Sequence, residues 1–303
     1  LSALTNILNT PTAPWIIALE GMGGIGKTAL ADAVLRQAIT QNFYTGFGWV
    51  SARQQRLHPS GFIQTLDKPA LTAEELIEQL CTQLLIGVTL PQPFALKMAL
   101  PILTARLKSA PYLIAIDNLE TVTDLHELLP TLQLLSHPTR FLVTSRAHLQ
   151  AETATYTYAV PPLQATDALA LVRHEAHLRN LPDLATASDS QLQAIYTTVG
   201  GNPLALRLVV GQTQLHDLPT VLADLQGARG QAVENLYNYL YRYAWDNLDD
   251  LARRVLLAMP FMPEQGEGIA HLIGICQLDA PELHDALAQL VALNLVHHQR
   301  SLM

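Results

Sequence analysis

The stretch Gly21-Met22-Gly23-Gly24-Ile25-Gly26-Lys27-Thr28 has the form G-x-x-x-x-G-K-[ST] of a phosphate-binding loop, and it follows the apolar run Trp15-Ile16-Ile17-Ala18-Leu19. A buried strand that leads through a glycine loop into a helix is the context in which this motif binds phosphate. Without bulky side chains, the N–H groups from Gly24 to Thr28 can point inward and surround a di- or triphosphate. An ordinary glycine-rich turn would not require this spacing.

Two side chains of the loop carry its predicted chemistry. Lys27 is expected to reach the β and γ phosphates of ATP or ADP, and the Thr28 hydroxyl is expected to ligate Mg²⁺. The residues of this stretch that we predict to contact the nucleotide are Gly21, Gly23, Gly24, Ile25, Gly26, Lys27, Thr28 and Ala29.

The composition limits the class of protein. A chain of 303 residues with 49% hydrophobic residues predicts two or three globular domains. No apolar run approaches the roughly 18 residues of a membrane span, and the N-terminus has no signal-peptide pattern. The formal charge of −8 makes nucleic acid an unlikely partner. Cys81 and Cys276 have no metal-ligand spacing, which predicts reduced core thiols in a cytoplasmic protein, and the 11 histidines match no metal-binding motif.

Strands and helices alternate up to about residue 160. Hydrophobic periodicity predicts a helix over 27–41, a loop over 53–70, a helix from the N-cap Thr72 to about residue 85 and another over 94–108. A further helical stretch ends near residue 137. Strands are predicted at 15–19, 47–51, 112–116, 141–145 and 156–160. This alternation indicates an α/β domain with a mainly parallel sheet, whose ligands bind at the carboxyl ends of the strands.

After Pro161-Pro162 the pattern becomes helical. Helices are predicted at 166–179, 188–199, 203–212 and 218–226, and then, beyond a linker at 227–230, at 232–247, 249–259, 267–275 and 281–293. A final strand near 295–298 fits a small helical domain with a β-wing. We therefore expect a nucleotide-binding domain over 1–160, a helical domain over 161–228 and a truncated winged-helix domain over 229–303. The chain opens only twenty residues before the loop, so we expect a fragment of a longer protein.

Two side chains at strand ends are candidates for the nucleotide site. Asp117 ends the apolar strand at 112–116, where a second Mg²⁺-organising carboxylate belongs, although such a residue can also cap the next helix. The following residue is Asn118 instead of the acid that polarises an attacking water, so hydrolysis is expected to be slow. Arg146 ends the strand at 141–145 and either senses the γ-phosphate or is an ordinary solvated arginine.

The stretch Gly200-Gly201-Asn202-Pro203-Leu204-Ala205-Leu206 has a simple local interpretation. Asn202 caps a helix that Pro203 begins, and the glycines form the turn before it. This interpretation leaves open whether the proline ring also packs on a nucleotide base.

Taken in order, these motifs resemble the NB-ARC proteins, which belong to the STAND (AP-ATPase) class of signal-transduction ATPases. That class includes plant disease-resistance proteins, apoptotic-protease activating factors and bacterial regulators, and we expect a bacterial member. The motifs are the loop at 21–28 and the segments at 47–51, 113–120, 141–146, 158–163 and 201–206.

The resemblance implies an α/β P-loop NTPase of the ASCE type, followed by helical and winged-helix domains that close over ADP. Exchange for ATP would open the module and allow self-association when a sensor domain outside the chain meets its signal, with effector domains also outside it. Lys27 and Thr28 would hold phosphates and Mg²⁺, Asp117 would organise Mg²⁺, Arg146 would read the γ-phosphate and Pro203 would line the adenine pocket. Catalysis would then rest on Lys27, Asp117, Asn118 and Arg146.

The chain departs from the family pattern at two points. The upstream Gly-Arg adenine motif would precede Leu1, and the winged-helix histidine that touches the β-phosphate would follow Met303, because His297 and His298 lack its Met-His-Asp setting.

Two other functions compete with a nucleotide switch of weak ATPase activity. An ATP-dependent transcription regulator would use the winged helix to read DNA, and Arg253-Arg254 is its best support, but acidic residues surround this pair. A processive motor or small-molecule kinase is a third possibility, although no arginine-rich lid follows Arg146.

Overall fold

The computed structural model describes most of the chain. The described residues are 1–10, 13–52, 55–57, 63–65, 71–90, 93–149, 155–214, 216–227, 236, 238, 245–259, 269–293 and 295–296. Within these ranges, none of the helices combines the length and the apolar character that crossing a bilayer requires.

A parallel five-stranded sheet forms the centre of the N-terminal part, as the sequence predicted. The strands of the chain, in order, are β1 (Ile16–Glu20), β2 (Gly46–Ser51), β3 (Gln55–Leu57), β4 (Ile63–Thr65), β5 (Tyr112–Asp117), β6 (Arg140–Ser145) and β7 (Thr155–Ala159). The sheet has the order β2-β5-β6-β1-β7, and every neighbouring pair in it is parallel. Because β1, β5 and β6 are buried along their whole length, they read as continuous apolar runs in the sequence.

Helices cover both faces of the sheet. One face packs against α1 (Ser2–Asn9) and α2 (Lys27–Gln41), and the other packs against α3 (Ala73–Leu84), α4 (Leu96–Ser109) and α5 (Leu125–Leu135). The predicted capping box is confirmed, because the Thr72 side chain accepts from the Glu75 backbone and the Glu75 carboxylate accepts from the Thr72 backbone. The helical stretch after Asp117 begins with a short 3-10 helix over Leu119–Thr121.

The structure differs from the predicted elements at a few places. The predicted loop over 53–70 contains the antiparallel pair β3 and β4, whose three-residue strands are too short to show a period of two. Helix α1 was not predicted; its Leu4 is fully buried in the core shared with β1 and α2. Leu295 and Val296 form a bend instead of the start of the predicted strand, whose remaining residues lie outside the described ranges.

The C-terminal half of the described chain is helical. The first group comprises α6 (Ala165–Leu178), α7 (Pro182–Ala185), α8 (Asp189–Val199), α9 (Pro203–Gln212) and α10 (Leu218–Gln226), of which only the single-turn α7 was not predicted. The second comprises α11 (Asp250–Ala258), α12 (Ile269–Cys276) and α13 (Ala280–Ala292). Each group buries its own apolar core. The helix predicted over 232–247 falls mostly outside the described residues, and the domain boundaries at 160 and 228 stay predictions.

Candidate functional site

The glycine loop has a backbone that side chains would distort. Gly21, Gly24 and Gly26 have φ angles of 144°, 73° and 103°, which L-residues rarely adopt. A Cβ atom on Gly21 would also lie 3.3 Å from the Ile25 side chain. Helix α2 begins at Lys27, directly after the loop, and no side chain caps its start. The loop therefore has the backbone shape that the predicted anion cradle requires, and a phosphate group fits such a loop at the start of a helix.

The Lys27 ammonium lies inside this loop. Its Nζ donates to the carbonyl oxygens of Gly21 and Met22, the latter at 2.9 Å. Burial lowers the pKa of Lys27 from 10.5 to about 8; the carboxylate of Glu120 opposes this shift and the guanidinium of Arg146 adds to it. A phosphate anion would restore the preference for the charged form.

Asp117 joins the ends of three strands to the loop. Its Oδ1 accepts from the Thr28 hydroxyl at 2.6 Å and from the Thr144 hydroxyl at 2.8 Å, and its Oδ2 accepts from the Ser51 hydroxyl at 3.3 Å. The two residues predicted as Mg²⁺ ligands are therefore in direct contact. The alternative role of Asp117 as a helix cap finds no support, because the 3-10 helix that follows starts after Asn118 and has no side-chain cap.

Ser51 and Thr144 were missed by sequence reasoning. Ser51 lies at the carboxyl end of β2, and Thr144 lies near the carboxyl end of β6. Because ligands of a parallel sheet bind at the carboxyl ends of its strands, this placement could have identified both residues. Thr144 has a second role, since its hydroxyl oxygen accepts from the Asn118 backbone N–H at 2.9 Å. Asn118 itself has a positive φ of 64°, a conformation that Asn adopts more easily than most residues.

Arg146 follows β6, as predicted, but it is paired with a carboxylate. Its Nε lies 3.2 Å from Oε1 of Glu120, and its backbone N–H donates to Oε2 of the same residue at 3.2 Å. The Glu120 side chain is only 2% exposed. Burial raises the pKa of the Glu120 carboxyl, while Arg146 and Lys27 act in the opposite direction. Arg146 is thus not an ordinary solvated arginine.

The start of α9 is attached to the glycine loop. The Asn202 side chain caps the helix by accepting from Leu204 N at 3.0 Å and Ala205 N at 3.2 Å, and its Nδ2 donates to the Gly23 carbonyl at 3.1 Å. The Leu204 N–H also donates to the Gly24 carbonyl at 3.3 Å. The capping interpretation of this motif is therefore correct but incomplete, because the same asparagine connects the helical region to the loop.

A second buried carboxylate, Glu20, stands directly before the glycine loop and contacts the segment after β6. Glu20 ends β1, is completely buried and accepts from the Leu149 N–H at 2.8 Å, while His148 Nδ1 contacts its second oxygen. Burial raises the pKa of Glu20, and these two partners lower it. No local sequence pattern predicts this pair, which connects the strand before the loop to the segment after Arg146.

The loop, the strand ends and α9 surround one cavity of about 810 Å³. Its lining includes the loop from Gly23 to Thr28, together with Ala29, Asn118, Glu120, Arg146, the segment 160–164, Pro203 and Arg207. The described residues contain no cluster of three or more His, Cys, Asp or Glu side chains that could hold a metal alone. A metal at Thr28 and Asp117 would therefore need oxygen ligands from a phosphate as well, as Mg²⁺ commonly does.

The comparison with protein families identifies the family to which this chain belongs. The sequence model of the NB-ARC domain matches residues 1–181, which is more than half of the chain. The chain belongs to the NB-ARC family. Its α/β part is therefore a P-loop NTPase domain of the STAND type, which is a nucleotide-binding domain. The motif at 201–206, which supplies the wall around Pro203, lies beyond the matched residues.

Individual relatives of the NB-ARC chain match shorter segments. The disease susceptibility protein LOV1 of Arabidopsis thaliana is 45% identical over 40 residues, which is 13% of this chain and 4% of that protein. The chain thus spans a small part of the curated relatives it matches. These relatives are plant proteins, and they do not support the bacterial origin expected from the sequence.

A solved structure shares this fold at low sequence identity. The ORC2 protein of Aeropyrum pernix, solved as ADPNP–ADP complexes, is 14% identical with a TM-score of 0.54, covering 99% of this chain and 86% of that one. A STAND protein with a tetratricopeptide repeat sensor from Pyrococcus horikoshii is 15% identical with a TM-score of 0.43, covering 98% of this chain and 39% of that one.

One of the two arginines behind the DNA-binding alternative, Arg253, has local partners. Arg253 lies 3.3 Å from the Asp250 carboxylate, donates to the Trp245 carbonyl and stacks over the Trp245 ring at 5.5 Å. This arrangement stabilises the start of α11 and gives no separate reason to expect a nucleic-acid surface.

Proposed function

We propose that this NB-ARC chain is an ATP/ADP-binding molecular switch of a STAND-type signalling or defence protein. In this proposal it is closed with ADP, self-associates with ATP and hydrolyses ATP slowly. The observation that supports it best is the pair of hydrogen bonds from the start of α9 to the carbonyls of Gly23 and Gly24. Because the cavity has walls from the sheet and from the helical region, one nucleotide can hold both together.

Each predicted residue has a role in this proposal. Lys27 binds the phosphates, and Thr28 with Asp117 holds Mg²⁺, which supplies charge neutralisation at the phosphates when it is bound. Pro203 packs on the base: its ring lies 3.9 Å from the position of a Cβ on Gly26 and lines the same cavity. Arg146 distinguishes a terminal phosphate from its absence through charge-assisted hydrogen bonds.

Slow hydrolysis follows from the residue after Asp117. Asn118 lines the cavity and takes the place in the sequence where the family pattern has an acid that polarises the attacking water, and an amide cannot act as a base. A long-lived bound state suits a switch, because the signal then depends on exchange of the nucleotide and not on turnover. Sensor and effector segments of a longer protein would convert that exchange into an output.

The test is to measure nucleotide binding and assembly of the purified chain. We expect ADP in the extracted protein and tight ADP binding by calorimetry. Lys27→Ala removes this binding, whereas Lys97→Ala, at an exposed position of α4, does not. Circular dichroism checks that both variants are folded. A nucleotide-free protein with no measurable affinity for ADP would contradict the proposal.

The switch itself needs a second measurement. Light scattering and limited proteolysis are compared with ADP and with a non-hydrolysable ATP analogue. We expect protection of the segment between β7 and α6 with ADP, and greater cleavage or a larger mass with the analogue. Identical proteolysis and mass with both nucleotides would contradict the proposed switch and would support nucleotide binding alone.

A further inference from the structure

We propose that Glu120 is a positioning residue that competes with the terminal phosphate for Arg146 and thereby sets the preference of the site for ADP over ATP. This inference rests on the proposed function, because it concerns the same cavity. It assigns a role to a carboxylate that the predicted phosphate and metal ligands leave unexplained.

The contact between the two residues is specific. Glu120 uses both carboxylate oxygens, one toward the Nε of Arg146 and one toward its backbone N–H, each at 3.2 Å. Both side chains line the cavity that contains the glycine loop. A guanidinium has five N–H donors and cannot lose its charge, so a carboxylate and a phosphate can both pair with it and compete for its N–H groups.

Glu120 is held rigidly in this position. It lies in the 3-10 helix Leu119–Thr121, and Leu119 is completely buried. The Thr121 hydroxyl donates to the carbonyl oxygens of Ala52 at 2.7 Å and Asn118 at 2.8 Å. These contacts fix the turn that carries Glu120, and this turn directly follows the Asp117 strand.

Charge makes the competition selective for the terminal phosphate. The Glu120 carboxylate and the Arg146 guanidinium attract each other strongly here, because their side chains are only 2% and 17% exposed and screening of the pair by solvent is weak. ATP brings one more phosphate than ADP to the residues around Lys27, and this phosphate needs the guanidinium whose Nε Glu120 already contacts. Glu120 thus imposes a cost on ATP that ADP avoids, which keeps the resting state closed.

The experiment measures the affinities of ADP and of a non-hydrolysable ATP analogue by calorimetry in the full chain. Glu120→Gln removes the negative charge and keeps an amide oxygen that accepts one of the two hydrogen bonds. We expect the ratio of ATP-analogue to ADP affinity to rise roughly five- to twentyfold. Glu127→Gln removes one charge from an exposed residue of α5 and should leave the ratio within about twofold of wild type.

A double-mutant cycle shows whether Glu120 acts through Arg146. In an Arg146→Ala background, Glu120→Gln should change the ratio by less than about twofold. If the full effect persists there, or if Glu120→Gln alone leaves the ratio unchanged while wild type binds both nucleotides, the proposal is wrong. A wild-type chain that binds neither nucleotide contradicts the proposed function and this inference together.

If Glu120→Gln does not fold, Glu120→Asp replaces it. The shorter side chain loses contact with Arg146, so this variant should shift the affinity ratio in the same direction.

Discussion

The exchange Asn202→Asp tests the connection between the glycine loop and the helical region. It replaces one amide nitrogen by an oxygen and leaves the size of the side chain unchanged. The cap of α9 survives, because Asp and Asn are equally good N-cap residues and the remaining oxygen still accepts from Leu204 N and Ala205 N. The hydrogen bond from Nδ2 to the Gly23 carbonyl, 3.1 Å long, is lost.

The cost follows from burial at both ends of that bond. Asn202 is 7% exposed and Gly23 is buried, so the carbonyl loses its donor and faces a carboxylate oxygen. An unsatisfied buried acceptor costs about 1–3 kcal/mol, and we expect a loss of about 2–3 kcal/mol at pH 7 because repulsion adds to it. The introduced carboxyl should have a raised pKa in the folded chain, since only its protonated form can donate to Gly23. The destabilisation should therefore shrink as the pH falls through that raised pKa.

Urea unfolding followed by circular dichroism, with and without ADP, measures the effect. The control is the reverse exchange at another cap: Asp279→Asn at the start of α13, where the side chain accepts from Glu282 N at 2.8 Å, should change the free energy of unfolding by less than about 0.5 kcal/mol. ADP should bind more weakly to Asn202→Asp, because the loop is less firmly held. A free energy of unfolding within about 0.5 kcal/mol of wild type would refute the argument that this bond connects the two parts.

Three further predictions concern the same site. A Cβ at Gly201 would lie 2.0 Å from the Leu163 carbonyl oxygen, so Gly201→Ala should lower the free energy of unfolding by about 1–3 kcal/mol in thermal unfolding. The control Gly274→Ala, in an open part of α12, should be neutral or slightly stabilising. Equal effects of the two variants would contradict the steric argument. Because the pKa of Lys27 is about 8 without ligand and phosphate favours its charged form, ADP affinity measured by calorimetry should be constant from about pH 7 to pH 8 and should fall roughly tenfold per pH unit above it. The variant Lys97→Ala should show the same slope, and an affinity that does not fall above pH 8 would contradict this prediction. Asn118→Asp should raise steady-state ATP hydrolysis about 10²-fold or more, measured as phosphate release, and no increase would show that the amide does not limit the rate.

Much of the fold follows from local patterns. The glycine loop, the buried strands and the capped helices were predictable because each depends on residues within a few positions of one another, such as the Thr72–Glu75 box. The positions of Asp117 and Arg146 at one edge of the sheet were also predictable from the sequence, since the carboxyl ends of parallel strands lie on the same side of a sheet.

The sequence by itself therefore determined the phosphate-binding chemistry and the alternation of strands and helices. Only the tertiary structure decided how the site is held: Asn202 on Gly23, Glu20 with His148, and Glu120 on Arg146. The first two pairs join residues more than a hundred positions apart, and the third joins residues on different elements. A buried polar group must find a partner, but which partner it finds depends on how the elements pack, and no local period of apolar residues records that choice.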